Sequence, residues 1–210
     1  MKIIVLLLAA LLSSYAHAQF GVPWRHQPTI VILAPEGDPR IALVEEAIAY
    51  WNHALEEVGS AFRLPAAKRV DASIPEAALQ EMSKAIISGQ RPTPIPQAVR
   101  GLPGDLTIVL ASSSFVSFAG RFDPDGKRVI GIRGMQTGPF PLPNVARNVI
   151  AHEIGHGIGL GHNADPARLM CGRPAPCRPT AFVSERAHIF PLTEGERDAL
   201  LRMYPAAPKQ

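Results

Sequence analysis

Apolar residues fall along this chain in distinct rhythms, and each rhythm predicts an element. Residues 29–33 (TIVIL) and 106–111 (LTIVLA) are short, nearly unbroken apolar runs with β-branched residues, the pattern of buried strands. From residue 41 the spacing turns helical: Ile41, Val44, Ile48, Trp51, Leu55 and Val58 make one stripe, with Glu45, Glu46, Glu56 and Glu57 off it. His53 also lies off the stripe and reads as a solvated residue. Asp38 as N-cap and Pro39 at the first helical position open this long helix. Residues 62–70 predict a second strand, which Pro65 confines to an edge or interrupts. Ser73 and Glu76 match a capping box with Pro75 inside it, before a short helix through Leu79, Met82 and Ile86 that ends ahead of Gly89. Residues 91–103 carry Pro92, Pro94, Pro96 and Pro103 and read as an extended loop. Residues 115–122 and 127–133 predict a hairpin across Asp123-Pro124-Asp125-Gly126. Asn144 is the predicted cap of a further helix with Val145, Val149, His152 and His156 on one side and Ile150, Ile154 and Ile158 on another. Apolar groups on both sides make that helix a buried, central one. Thr193 and Glu196 form a capping box for a last helix that turns Ala199, Leu200, Met203 and Tyr204 inward and stops at Pro205. No internal repeat is visible.

The first residues follow a different logic. Lys2, ten apolar residues from Ile3 to Leu12 and Ala16-His17-Ala18 are the charged, apolar and small-residue parts of a secretory signal peptide, residues 1–18, cleaved before Gln19. The apolar stretch is too short to span a bilayer, and no later stretch approaches the required ~20 residues. The expectation is a secreted or periplasmic protein with no membrane association after cleavage. Residues 19–210 are then enough for a single domain with a substantial core. The formal net charge of +3 falls to +2 without Lys2, and the basic residues are scattered, so nothing points to nucleic acid. Two cysteines, Cys171 and Cys177, are expected to bridge each other in an oxidising compartment.

The chemistry concentrates in residues 152–162, HEIGHGIGLGH. His152 and His156, four apart, stand one above the other on a helix, where two neutral imidazoles can share one zinc ion. Glu153 lies beside them, able to reach a metal-bound water. Gly159 frees the backbone for a sharp turn through positive φ, after which His162 swings back as third ligand. Three protein ligands leave a fourth position open, the arrangement of a catalytic zinc. HExxH alone is a modest signal; the added Gly and His, drawn from 17 Gly and 7 His in 210 residues, cut chance about 370-fold. A calcium ion finds no recognisable loop: in an EF-hand reading of Asp123-Pro124-Asp125-Gly126, Lys127 and Gly134 stand where an acid and the closing Glu belong, so a plain turn is expected there.

With Met170 downstream, in ADPARLMCG, this pattern resembles the metzincin zinc metalloproteases, and the spacing of the Met after the third His is most like the matrixin branch. The resemblance implies an α+β catalytic domain: a twisted mixed sheet of about five strands, a long N-terminal helix, a zinc-bearing central helix, a tight turn at Met170 beneath the metal, and a C-terminal helix. Residues 73–103 then read as an insertion between the second and third strands. The stretch 112–122 holds no His, so the structural zinc of matrixins has no evident ligands. Gly172 stands where astacins place a metal-interacting Tyr, Asn163 matches neither branch, and no pro-segment with a zinc-blocking Cys precedes residue 28.

The function expected on these grounds is an exported, monomeric zinc endopeptidase acting on a peptide or protein substrate. His152, His156 and His162 are its zinc ligands and Glu153 its general base and acid. By resemblance the substrate lies along the edge at 115–118, with the pocket wall following Met170; otherwise one of Phe115 and Phe118 is core and the other loop. Two alternatives are a non-catalytic zinc-centred binding module, which has no need of Glu153, and an amidase acting on cell-wall peptides.

Overall fold

Ile30–Leu33 (β1), Leu106–Leu110 (β3) and Arg128–Ile132 (β5) are buried at every position, so both faces of the sheet they form must be covered. The computed structural model describes residues 21–90, 96–122, 126–136, 138–139, 141–172 and 175–206. The expected signal peptide and Asp123–Asp125 of the expected turn lie outside them. Among the described residues no helix is long and apolar enough to cross a membrane.

Together with Lys68–Val70 (β2) and Phe118–Arg121 (β4), these strands make one mixed sheet of order β2-β1-β3-β5-β4. Its first four strands run parallel, and β4 returns antiparallel to β5 as an edge, pairing Phe118 with Gly131 and Arg121 with Arg128. The α+β expectation of a five-stranded mixed sheet is met. Alternation along the strands sorts the core into two. Ile30, Ile32, Leu106, Ile108, Ile130 and Ile132 face one core, shared with Arg40–Glu57 (α1) and Pro143–Gly157 (α4). Val31, Leu33, Val109 and Val129 face the other, covered by Leu79 and Met82 of Glu76–Ile87 (α2), by Val99 of the single-turn helix Gln97–Arg100 (α3), and by Phe115, Phe118 and Phe122. Within residues 73–103, α2 and α3 thus cover the sheet's second face.

Several local expectations need correction. The second strand shrinks from 62–70 to Lys68–Val70 because the Asn52 side chain of α1 takes both the N–H and the carbonyl of Leu64, and Pro65 has no N–H to give. The box at Ser73 and Glu76 does not form; Glu76 instead accepts from the Ser112 hydroxyl. The proline-rich stretch is not wholly extended, since α3 lies within it. Asn144 does not cap α4, which begins at Pro143. Its amide is buried in the first turn, donating to the Ser184 and Arg186 carbonyls and accepting from the His188 N–H. Phe115 and Phe118 are both core, at 8% and 2% exposure.

Other signals hold. Asp38 accepts the Arg40 N–H at 2.9 Å at the mouth of α1. His53 is exposed, 3.4 Å from Glu57. Both halves of the Thr193–Glu196 capping box are made at the start of Glu194–Met203 (α5). Cys171 and Cys177 are bonded. The Trp51 indole of α1 donates to the Ala151 carbonyl at 2.9 Å, tying the long helix to the middle of α4.

Candidate metal centre

α4 ends in a Schellman motif built on Gly159, at φ +106: the Leu160 N–H bonds the Gly155 carbonyl, and the Gly159 N–H that of His156. A Cβ at residue 159 would suffer both the positive φ and a 3.0 Å approach to Met203 Sδ. The carbonyls that emerge from this turn are taken from outside. Gly157 O accepts from the Trp24 indole at 3.0 Å and Arg128 Nη1 at 2.6 Å, Ile158 O from the Tyr204 hydroxyl at 2.7 Å, and Gly159 O from the Gly21 N–H at 2.7 Å. The Arg128 guanidinium also lies 4.0 Å over the Trp24 ring. This clasp fixes the direction in which the chain leaves α4, and with it the position of His162.

The turn brings His162 back onto His152 and His156 as the spacing predicts. Their Nε2 atoms converge: 3.0 Å from His156 to His152, 2.9 Å from His156 to His162 and 3.2 Å from His152 to His162. Two of the rings are locked from behind, His152 Nδ1 on Leu169 O and His156 Nδ1 on Leu160 O, each at 2.8 Å. A carbonyl can only accept, so Nδ1 carries the proton in both rings and Nε2 presents a bare lone pair. Lone pairs converging at 3.0 Å with no proton between them repel each other; a cation among them resolves the conflict. The three-histidine group fits zinc on the chemistry of its donors.

Burial keeps these rings neutral, as ligands must be. It holds His152 well below the usual imidazole range, helped by the neighbouring charges of His156 and Arg178. Burial, then His162, brings His156 down to about 4. His162 is lowered by burial and then Arg178, and its side opens to solvent. Glu153 is buried beside them, and no hydrogen bond or ion pair joins its carboxylate to a described residue. Burial pushes its pKa up to about 8 against the opposing charge of Arg178; a dication held by the histidines would pull it down again.

Met170 is fully buried beneath α4, where a Cβ on Gly155 would meet its sulfur at 2.5 Å. Asn163 and Cys171 form a bridge, and the Gly172 N–H bonds Asn163 O, so the segment after His162 and the one after Met170 run side by side. Gly172 is required there: a Cβ would lie 2.2 Å from His162 Cγ. Asn163, left unassigned by the sequence, donates to Glu196 Oε1 at 2.6 Å and ties the loop to α5. The sequence also gave no hint of Arg178, whose guanidinium bonds the carbonyls of Leu169 and Cys171 at the Met170 turn.

No family model matches the sequence, and no curated protein matches it. Among solved structures the fold is similar to that of archaemetzincin from Methanopyrus kandleri, with a TM-score of 0.51 and 19% identity over 85% of this chain and 95% of that one. The fold is therefore metzincin-like, with the three histidines at the end of its central helix and in the turn that follows.

Proposed function

We propose that this chain is an exported zinc endopeptidase. The observation that carries the reading is the convergence of three imidazole Nε2 atoms, two of them left bare because backbone carbonyls hold the ring proton on Nδ1, beside a buried carboxylate with no described hydrogen-bond partner. Zinc in this site supplies Lewis acidity toward a peptide carbonyl and an acidic water, of pKa about 7. His152, His156 and His162 hold and orient the ion. Glu153 takes the proton of the attacking water and passes it to the leaving amine. β4 is an edge of the sheet, beside which an extended substrate would lie as a further strand. By the metzincin resemblance the pocket wall follows Met170, where the Cys171–Cys177 disulfide would favour one shape of that wall. Within metzincins, the spacing of Met170 after His162 favours the matrixin branch. The leader at residues 1–18 and the Cys171–Cys177 bond together favour a secreted or periplasmic location.

The test is to measure the zinc content of the purified protein and its cleavage of a quenched peptide library with chelator, without it, and after zinc is restored. Stoichiometric zinc with chelator-sensitive, zinc-restored cleavage is expected. Metal-free protein that cleaves equally well, or zinc-loaded protein that cleaves nothing in a diverse library, overturns the proposal.

A further inference from the structure

We infer that Arg178 is a positioning residue of the metal centre: its guanidinium, delivered by the Cys171–Cys177 loop, fixes the Leu169 carbonyl on which His152 is oriented. The inference rests on the reading of the three histidines as metal ligands.

Arg178 is the one described non-glycine residue with positive φ, at φ 52 and ψ 49. Left-handed backbone is unfavourable for a long side chain with no local hydrogen bond to offer, so something outside the residue must hold it there. Three things do. Cys177, the residue before it, is tied to Cys171, which follows Met170 directly. The Arg178 N–H donates to the Pro166 carbonyl at 2.7 Å. The guanidinium, half-buried, turns Nη1 onto Leu169 O at 2.5 Å and Cys171 O at 3.1 Å, the carbonyls on either side of Met170.

The Leu169 carbonyl is the shared element. It also accepts from His152 Nδ1 at 2.8 Å, and Arg178 Nη1 lies 3.5 Å from that same ring nitrogen. Both nitrogens are donors, so they divide one acceptor rather than bond each other. A carbonyl has two lone pairs. With one engaged by a guanidinium that is itself anchored on Cys171 O, the other is left at a fixed angle for the imidazole. The rotation of the His152 ring, and so the direction of Nε2, is set by this arrangement. A cation so close to a site meant for another cation opposes metal binding electrostatically. Its contribution must therefore come through orientation.

The test uses the full-length mature protein loaded with Co2+ in place of Zn2+, with three readouts: the visible cobalt spectrum, the metal dissociation constant by chelator competition, and the urea midpoint of the metal-free protein. Arg178→Met should weaken metal binding about 10–100-fold and alter the cobalt spectrum. Arg178→Lys keeps the charge but ends one atom short of Nη1, so it should fall between wild type and Arg178→Met in both readouts. If Arg178→Met does not fold, Arg178→Lys decides the matter: weakened binding with a changed spectrum supports the inference, and wild-type values end it. A lower urea midpoint with unchanged spectrum and affinity would show that Arg178 only braces the loop, and would refute the positioning role. If wild-type protein binds neither metal, the metal reading itself falls, and this inference falls with it.

Discussion

Replacing Gly172 by alanine should remove one zinc ligand while leaving the fold in place. The backbone of residue 172 is not in the positive-φ region, so alanine meets no conformational penalty there. The added methyl would sit 2.2 Å from His162 Cγ and 2.5 Å from its Nδ1. Carbon contacts relax only near ~3.5 Å, so the ring must retreat by about 1 Å or more. The backbones cannot separate instead, because the Asn163–Cys171 bridge and the Gly172 N–H to Asn163 O bond hold the two segments together. Zinc–nitrogen distances tolerate about 0.2 Å, so a ring displaced this far no longer ligates. Structural zinc sites with four ligands bind with roughly 10–16 kcal/mol, or about 2.5–4 kcal/mol for each ligand. Gly172→Ala should thus raise the zinc dissociation constant about 10²–10³-fold. Gly101→Ala is the control, since nothing lies within 4 Å of its Cβ. Chelator competition at neutral pH reads the affinity, and urea unfolding of the metal-free proteins reads the fold. A folded Gly172→Ala protein with wild-type zinc affinity would refute the reasoning and show that His162 is not held where the metal binds.

Glu153→Gln should keep zinc and lose peptidase activity by about 10²–10⁴, read as kcat on a cleaved peptide; comparable turnover would assign the proton transfer to another group. In metal-free protein the same substitution has a pH signature. The Glu153 pKa is raised from 4.5 to about 8, so its contribution to stability is present below 4.5 and lost as pH rises toward 8. Metal-free Glu153→Gln should therefore match wild type in urea near pH 4 and exceed it near pH 8 by up to a few kcal/mol; no gain at pH 8 means that Glu153 is well solvated. Cys171→Ser with Cys177→Ser opens a loop spanning a sequence separation of 6 and should cost about 2 kcal/mol in urea unfolding. It should retain one equivalent of zinc, bound less tightly because Arg178 has lost its tether; unchanged stability and affinity would make the bridge incidental.

What the sequence disclosed, and what it hid, follows from the distance over which each signal acts. His152, His156, Gly159 and His162 were legible because helical spacing and one glycine convert directly into geometry. The Thr193–Glu196 box was legible because both of its partners lie within one turn. Glu76 and Asn144 carried equally good local signals and were drawn elsewhere. Ser112 claims the Glu76 carboxylate, and the segment through Ser184, Arg186 and His188 claims the Asn144 amide. Local propensity loses when a buried polar group finds several partners in tertiary structure. Asn52, Trp24, Arg128 and Arg178 were invisible for the same reason: each works on carbonyls supplied by a different segment. The resemblance to metzincins fixed the order of elements, and the structure adds what the second face of the sheet is covered by.

The clasp on the end of α4 also bears on when the centre comes into being. Trp24 meets Gly157 across a separation of 133 residues, and its N–H meets the Tyr204 hydroxyl across 180. Contacts of that span are the slowest to form, because the loop they close must be ordered first. The helix bearing His152 and His156 can wind as soon as it is made, but the turn that aims His162 is held by residues far off in the sequence on either side, Gly21 and Trp24 before it and Tyr204 after. Two ligands are therefore on offer early and the third arrives late. Tight capture of a metal by all three histidines would then be a closing event of folding, one that registers whether Gly21, Trp24 and Tyr204 have found their places.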